Sequence, residues 1–165
     1  MVVMGVTGCG KSTVGPILAA ALGAEYLDGD RFHSPENIRK MGTGVPLGDG
    51  DRRPWLERIG SVLGSRTDRV VVGCSALKRR YRDMIRDVSG RRIVFIHLNG
   101  PRDVIAGRMA ARDGHFMPVS LLESQFADLE PPGPEEVAIG IDVDQPLEGV
   151  VDEILEKLKG MGDDG

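Results

Sequence analysis

Eight consecutive residues, Gly5-Val6-Thr7-Gly8-Cys9-Gly10-Lys11-Ser12, fit the pattern G-x-x-x-x-G-K-[ST] in full. Its glycines let the backbone curl until successive N–H groups converge on a phosphate, and the start of the following helix adds partial positive charge. In this reading the loop through Thr13 holds a nucleoside triphosphate, Lys11 reaches its β- and γ-phosphates, and Ser12 coordinates Mg²⁺. A dinucleotide fingerprint is disfavoured, because Gly8-Cys9-Gly10 would need Gly or Ala where Thr13 stands. The motif says that a triphosphate is bound, not what is done with it. No guanine-reading N-K-x-D is present, and the third expected strand ends Gly73-Cys74-Ser75, without the Asp of a Walker B strand. Another carboxylate must help hold the metal, which favours a small kinase over a motor ATPase or a switch.

Asp28-Gly29-Asp30 supplies that carboxylate. It closes the second apolar run, and in an open α/β sheet ligands gather at the carboxyl ends of the strands. Phosphoryl transfer needs the acceptor hydroxyl in line and somewhere for its proton to go. Asp28 is expected toward the metal and Asp30 toward the hydroxyl; the plain alternative is a simple turn.

The elements that must position these groups alternate along the chain. Apolar runs at Met1–Met4, Ala24–Leu27, Val70–Val72, Ile93–Leu98 and Val137–Val143 read as strands. Helical spacing runs from Val14 to Leu22, from Pro35 behind its Ser34 cap to about Met41, from Arg53 to Leu63, from Arg79 to Asp87, from Pro101 to about Arg112, from Leu121 to Leu129, and from Pro146 to Leu158. Residues 42–50 read as loop, and Gly160–Gly165 as a frayed tail. Apolar strands alternating with helices imply an α/β fold, a parallel sheet covered on both faces. No linker interrupts residues 1–165, which read as one domain.

Composition narrows the function classes. The 165 residues carry a net charge of −4, unlike a general nucleic-acid binder. Basic residues crowd Lys78–Arg92 and acidic ones Asp128 onward; solvated helix faces are the bland reading, arginines facing a phosphorylated ligand the sharper one. Two cysteines give no disulfide framework, so a reducing cytoplasm is expected. No signal-peptide pattern and no run near 18 apolar residues is present, so no membrane association is expected. Trp55 reads as core more readily than as a ligand contact, and Tyr81 is ambiguous.

Beyond the phosphate loop, an ordered series of motifs resembles the gluconokinase family nearly end to end. It includes Leu27-Asp28-Gly29-Asp30 with His33, Asn37-Ile38-Arg39-Lys40-Met41, Gly44-Val45-Pro46-Leu47, Asp49 through Leu56, Cys74-Ser75-Ala76-Leu77-Lys78, Tyr81-Arg82-Asp83, Gly114-His115-Phe116, Ser124-Gln125-Phe126 and Asp142 through Leu147. The resemblance implies a three-layer P-loop kinase fold with sheet order 2-3-1-4-5. It implies ATP and Mg²⁺ as cosubstrates, D-gluconate phosphorylated to 6-phosphogluconate, and a homodimer. Gluconate is an anion with many hydroxyls, and its carboxylate wants a cation, ideally a bidentate Arg. Arg52 is the preferred partner, by resemblance to the acceptor-binding Arg of shikimate kinases. Lys78 and Arg82 are further candidates, with His33, Lys40, Asp30 and His115 for the rest of the substrate; the plain alternative for each cation is a surface ion pair.

The segment Arg108-x-x-x-Arg112-Asp113-Gly114-His115-Phe116 resembles the lid of these kinases, spanning about residues 112–120. Closure would bring Arg112, or else Arg108, onto the transferring phosphoryl group and exclude water. A basic helix end facing its own dipole is the alternative. Gln145 and Pro146 are expected near the adenine by family analogy, or else form a helix cap. With sheet order 2-3-1-4-5, Cys9 and Cys74 would be neighbours, and their oxidation would block ATP. The competing functions are a kinase for another small hydroxy acid, sugar or nucleotide, and a regulatory module that binds nucleotide without transfer.

Overall fold

Val2, Val3 and Met4 have no exposed surface, which places the first strand in the middle of the molecule. In the computed structural model, which describes residues 1–111 and 119–163, this strand (β1, Val2–Met4) pairs with two others. Five parallel strands form the sheet: β1, β2 (Glu25–Asp28), β3 (Val70–Gly73), β4 (Phe95–Asn99) and β5 (Ala138–Asp142), in the order β2-β3-β1-β4-β5. The order is the expected one. β1 and β3 are apolar at nearly every position because both of their faces are covered.

Helices α1 (Lys11–Ala21), α5 (Arg102–Ala110) and α7 (Leu147–Asp163) cover one face, where Val14, Leu18, Ile105, Val150 and Ile154 pack on Val3, Val71, Ile96 and Ile139. Helices α3 (Asp49–Ser65) and α4 (Arg79–Ser89) cover the other, with Trp55, Leu56, Ile59 and Ile85 on Val2, Met4, Val72 and Phe95. α2 (Pro35–Gly42) and α6 (Val119–Asp128) lie at the carboxyl rim. No helix among the described residues is long and apolar enough to cross a membrane.

Several boundaries differ from expectation, three of them with a visible consequence for the local structure. α3 begins at Asp49 rather than Arg53, because the Asp51 carboxylate accepts the Gly48 N–H at 3.0 Å and caps an extra turn. The acidic turn continues as a 3-10 helix over Gly29–Phe32, with Asp28 as its cap. α7 continues through Asp163 instead of fraying at Gly160.

Candidate active site

The phosphate loop leaves β1 at Gly5 and enters α1 at Lys11. Gly5 has φ of +140°, and a Cβ there would lie 2.6 Å from Leu98 O, so only glycine fits between the loop and β4. Gly10, at φ +107°, caps α1 and accepts the N–H groups of Thr13 and Val14. The Lys11 ammonium donates to the carbonyls of Gly5 (2.8 Å) and Val6 (2.9 Å), which fixes its charge along the loop. The Thr7 N–H donates to Gln125 Oε1 of α6 at 2.6 Å.

A cavity of about 140 Å³ opens in front of this loop, lined by Lys11, Ser12, Tyr26, Asp28 and Asp30 among others. Tyr26 was missed by sequence reasoning. Strand alternation was the available signal, since residues 26 and 28 share a face of β2. Its ring lies across α1, where Gly15 leaves room: a Cβ there would come within 2.2 Å of the Tyr26 ring. Burial, then the charges of Asp28 and Asp30, push the Tyr26 hydroxyl up to about 12. Partial loss of hydration at the cavity, then the Asp28 charge, raises the Asp30 pKa, and Lys11 opposes them; the side chain is 80 % exposed, so solvent screens the shift. Ser12 and Asp28 are hard oxygen donors on one small cavity with Lys11, a donor set that suits Mg²⁺ held jointly with phosphate oxygens.

A second cavity, about 350 Å³, lies on the other side of the loop. Gly8, Thr13, Arg108, Val143, Gln145 and Val150 are among its lining residues, a size and apolar character suited to a nucleoside base. Gln145 Nε2 donates to Asp142 O (2.7 Å) and Glu153 Oε2 (2.8 Å), so Gln145 is fixed at its edge. Pro146 begins the turn into α7, its carbonyl accepting the Val150 N–H. The Arg108 guanidinium donates to Val143 O. Arg108 therefore faces the base side of the loop rather than the acidic turn. Arg112 and His115, with most of the expected lid, lie outside the described residues.

On the acceptor side the acidic turn is braced from behind. Trp55, buried, donates through its indole N–H to Gly29 O at 2.7 Å and stacks on the His33 ring, centroids 4.1 Å apart. His33 Nδ1 lies 3.4 Å from Asn37 Nδ2, and His33 Nε2 is 3.9 Å from Asp30 Oδ1. Burial, then the Arg52 charge, push His33 down to about 4, so it is neutral at pH 7. Arg52 and Lys78 meet beside Tyr81. Arg52 Nη1 donates to the Tyr81 hydroxyl at 3.1 Å, and that hydroxyl donates to Asp49. Arg52, Lys78 and Arg80 all lie within 5.8 Å of the Tyr81 ring centroid. Asp128, from the end of α6, lies 3.5 Å from Arg52 and 3.3 Å from Lys78. Lys40 is held by the Asp51 carboxylate at 2.7 Å, next along α3 to Arg52.

Arg82 is not available to a substrate, contrary to expectation. Its side chain is 1 % exposed, forks onto both oxygens of Glu136 (2.6 and 2.9 Å) and donates to the carbonyls of Ala76 and Leu77. Ala76 has φ of +41°, uncommon for a residue with a Cβ, and Arg82 pins it there. Arg82 thus shapes the loop that presents Lys78. Both cysteines are buried, and burial pushes the Cys74 thiol up to about 12, far from a reactive thiolate, which counts against the expected oxidation.

A nucleotide loop on β1, carboxylates at the end of β2 and a cationic patch beyond them define a small P-loop kinase. The family model for shikimate kinase matches residues 7–159. A shikimate kinase structure from Aquifex aeolicus shares the fold, with a TM-score of 0.63 over 99 % of this chain and 98 % of its own at 20 % identity. Within that class, the chain belongs to the gluconokinase family. It is 45 % identical to the thermoresistant gluconokinase of Escherichia coli, over 96 % of this chain and 92 % of the relative. It is 42 % identical to the gluconokinase of Gluconobacter oxydans, over 96 % and 90 %. The crystal structure of a gluconokinase from Sinorhizobium meliloti superposes with a TM-score of 0.93 at 50 % identity, covering 99 % of this chain and 93 % of that one.

Proposed function

We propose that this protein transfers the γ-phosphoryl group of ATP directly to the 6-hydroxyl of D-gluconate, giving 6-phospho-D-gluconate and ADP. The observation that carries the reading is one continuous rim: Lys11, Ser12, Asp28 and Asp30 around a phosphate-sized cavity, joined through His33 to Arg52 and Lys78. Gly5, Val6, Thr7, Gly8, Cys9 and Gly10 cradle the phosphates through their backbone, with Gln145 and Pro146 toward the base. Lys11 follows the charge on the transferring group. Asp30 orients the 6-hydroxyl and accepts its proton; its raised pKa makes it a better acceptor than an ordinary aspartate. Arg52 takes the carboxylate with Lys78, and neutral His33 offers hydrogen bonds to hydroxyls. Ser12 and Asp28 would hold Mg²⁺, which supplies charge neutralisation across the phosphates when bound. By family resemblance, Arg112 stabilises the transferring phosphoryl group and His115 contacts the substrate. Catalysis is positioning and electrostatics, without a covalent intermediate.

The same reading takes residues 1–165 as one catalytic domain and the protein as a cytoplasmic homodimer. Two free cysteines support the reducing compartment, and the family resemblance supports the dimer. A coupled assay of ADP release tests the function, with gluconate, other aldonates, shikimate, thymidylate and no acceptor run in parallel. Turnover with gluconate alone is expected. Turnover only with shikimate or thymidylate moves the assignment to that acceptor, and ATP binding without acceptor-dependent turnover makes the protein a binding module.

A further inference from the structure

We infer that Asp128 sets the affinity for the acceptor by occupying, within the free protein, the position that the acceptor's carboxylate takes. Asp128 closes α6, and its two oxygens divide between two cations: Oδ2 lies 3.5 Å from Arg52 Nη1, and Oδ1 lies 3.3 Å from Lys78 Nζ. A carboxylate bridging a guanidinium and an ammonium is the arrangement a bound aldonate carboxylate would make with the same pair. Neither cation needs Asp128 for its placement. Arg52 is anchored on the Tyr81 hydroxyl at 3.1 Å, and Lys78 also has Asp49 at 3.7 Å. Arg52 and Lys78 are 14 % and 19 % exposed, whereas Asp128 is 32 % exposed, so Asp128 is the member that can swing into solvent. Three residues earlier on the same helix, Gln125 Oε1 covers the Thr7 N–H at 2.6 Å. Residues at this spacing share a helix face. That face of α6 thus sets one acceptor oxygen on the nucleotide loop and a carboxylate on the acceptor's cations.

The inference rests on the gluconate reading, and it makes Asp128 an affinity-setting residue: substrate binding displaces one carboxylate with another, so part of the attraction is cancelled. The test is steady-state kinetics of wild type, Asp128→Asn and Asp128→Ser, with gluconate and ATP varied separately. Removing the competing charge is expected to lower KM for gluconate about fivefold, the scale of one partly exposed ion pair. The gain is carried by KM for gluconate rather than by kcat or KM for ATP, and Asp128→Glu returns it toward wild type. An unchanged or raised gluconate KM in either neutral variant overturns the inference while leaving the gluconate reading intact. Wild-type protein with no gluconate-dependent turnover overturns the reading first, and this inference with it.

Discussion

The Lys11 ammonium is bonded to two carbonyls of its own loop, so its charge is held at the loop that the proposed phosphates would occupy. Asp30 stands across the same cavity, within the field of Asp28 and Lys11. In the proposed mechanism these are the two residues whose loss removes a group acting on the reacting atoms. Lys11→Ala and Asp30→Ala are each expected to lose at least about 10²-fold in kcat/KM, the scale of losing one key electrostatic group. The coupled assay checks this, and a near-wild-type Asp30→Ala removes Asp30 from the proton-accepting role. The loop and both aspartates were readable in the sequence because their chemistry depends on local spacing. Arg82 and Asp128 were not. Their partners, Glu136 for one and Arg52 and Lys78 for the other, lie 50 or more residues away, and no local pattern carries that information.

At the scale of elements, α4 and the segment before β5 are tied by one buried bond, the Arg82–Glu136 fork. Hydrogen bonding from Arg82 is the main cause that holds the Glu136 carboxyl below its usual range. Removing one partner leaves the other charge buried and unpaired. Glu136→Gln and Arg82→Met are each expected to destabilise the fold by about 3–5 kcal/mol, measured by urea denaturation. Arg82→Met paired with Glu136→Leu should cost less than either alone, since no uncompensated charge remains. Helix α6 shows where sequence reading stopped. Its helical spacing was visible to within two residues at its start, but its contacts with Thr7, Arg52 and Lys78 follow only from how the chain returns across the rim.

Across the whole molecule, part of the uneven charge is neutralised within the fold. The basic stretch Lys78–Arg92 is met by the acidic stretch that begins at Asp128: Lys78 with Asp128, Arg79 with Glu135, Arg82 with Glu136. The sheet order was readable only through family resemblance, since alternation of strands and helices fixes the class but not the neighbours. Two buried histidines contribute to the acid response above the carboxylate range. Burial, with the charges of Arg52 and Arg82 respectively, pushes His33 and His97 down from 6.5 to about 4. Between those values the unfolded chain binds protons that the folded one refuses, so stability is retained above about pH 6.5 and falls as pH drops toward 4. The loss is on the order of 3 kcal/mol per histidine once both states are fully developed. Urea midpoints between pH 7 and pH 4 should decline accordingly, and His97→Gln should flatten the slope.

All five strands run the same way, so among the described residues the phosphate loop and the acidic turn leave the sheet at the carboxyl ends of β1 and β2, on one rim. On the opposite side the chain reverses at Gly23 and Gly90, each in the left-handed conformation with open space at its α-carbon, and through the exposed residues 65–69. For an engineer this is the handle of the molecule. A tether or fluorescent insert placed between Thr67 and Asp68 points away from both substrates, and protein immobilised there would present its working side to the solution.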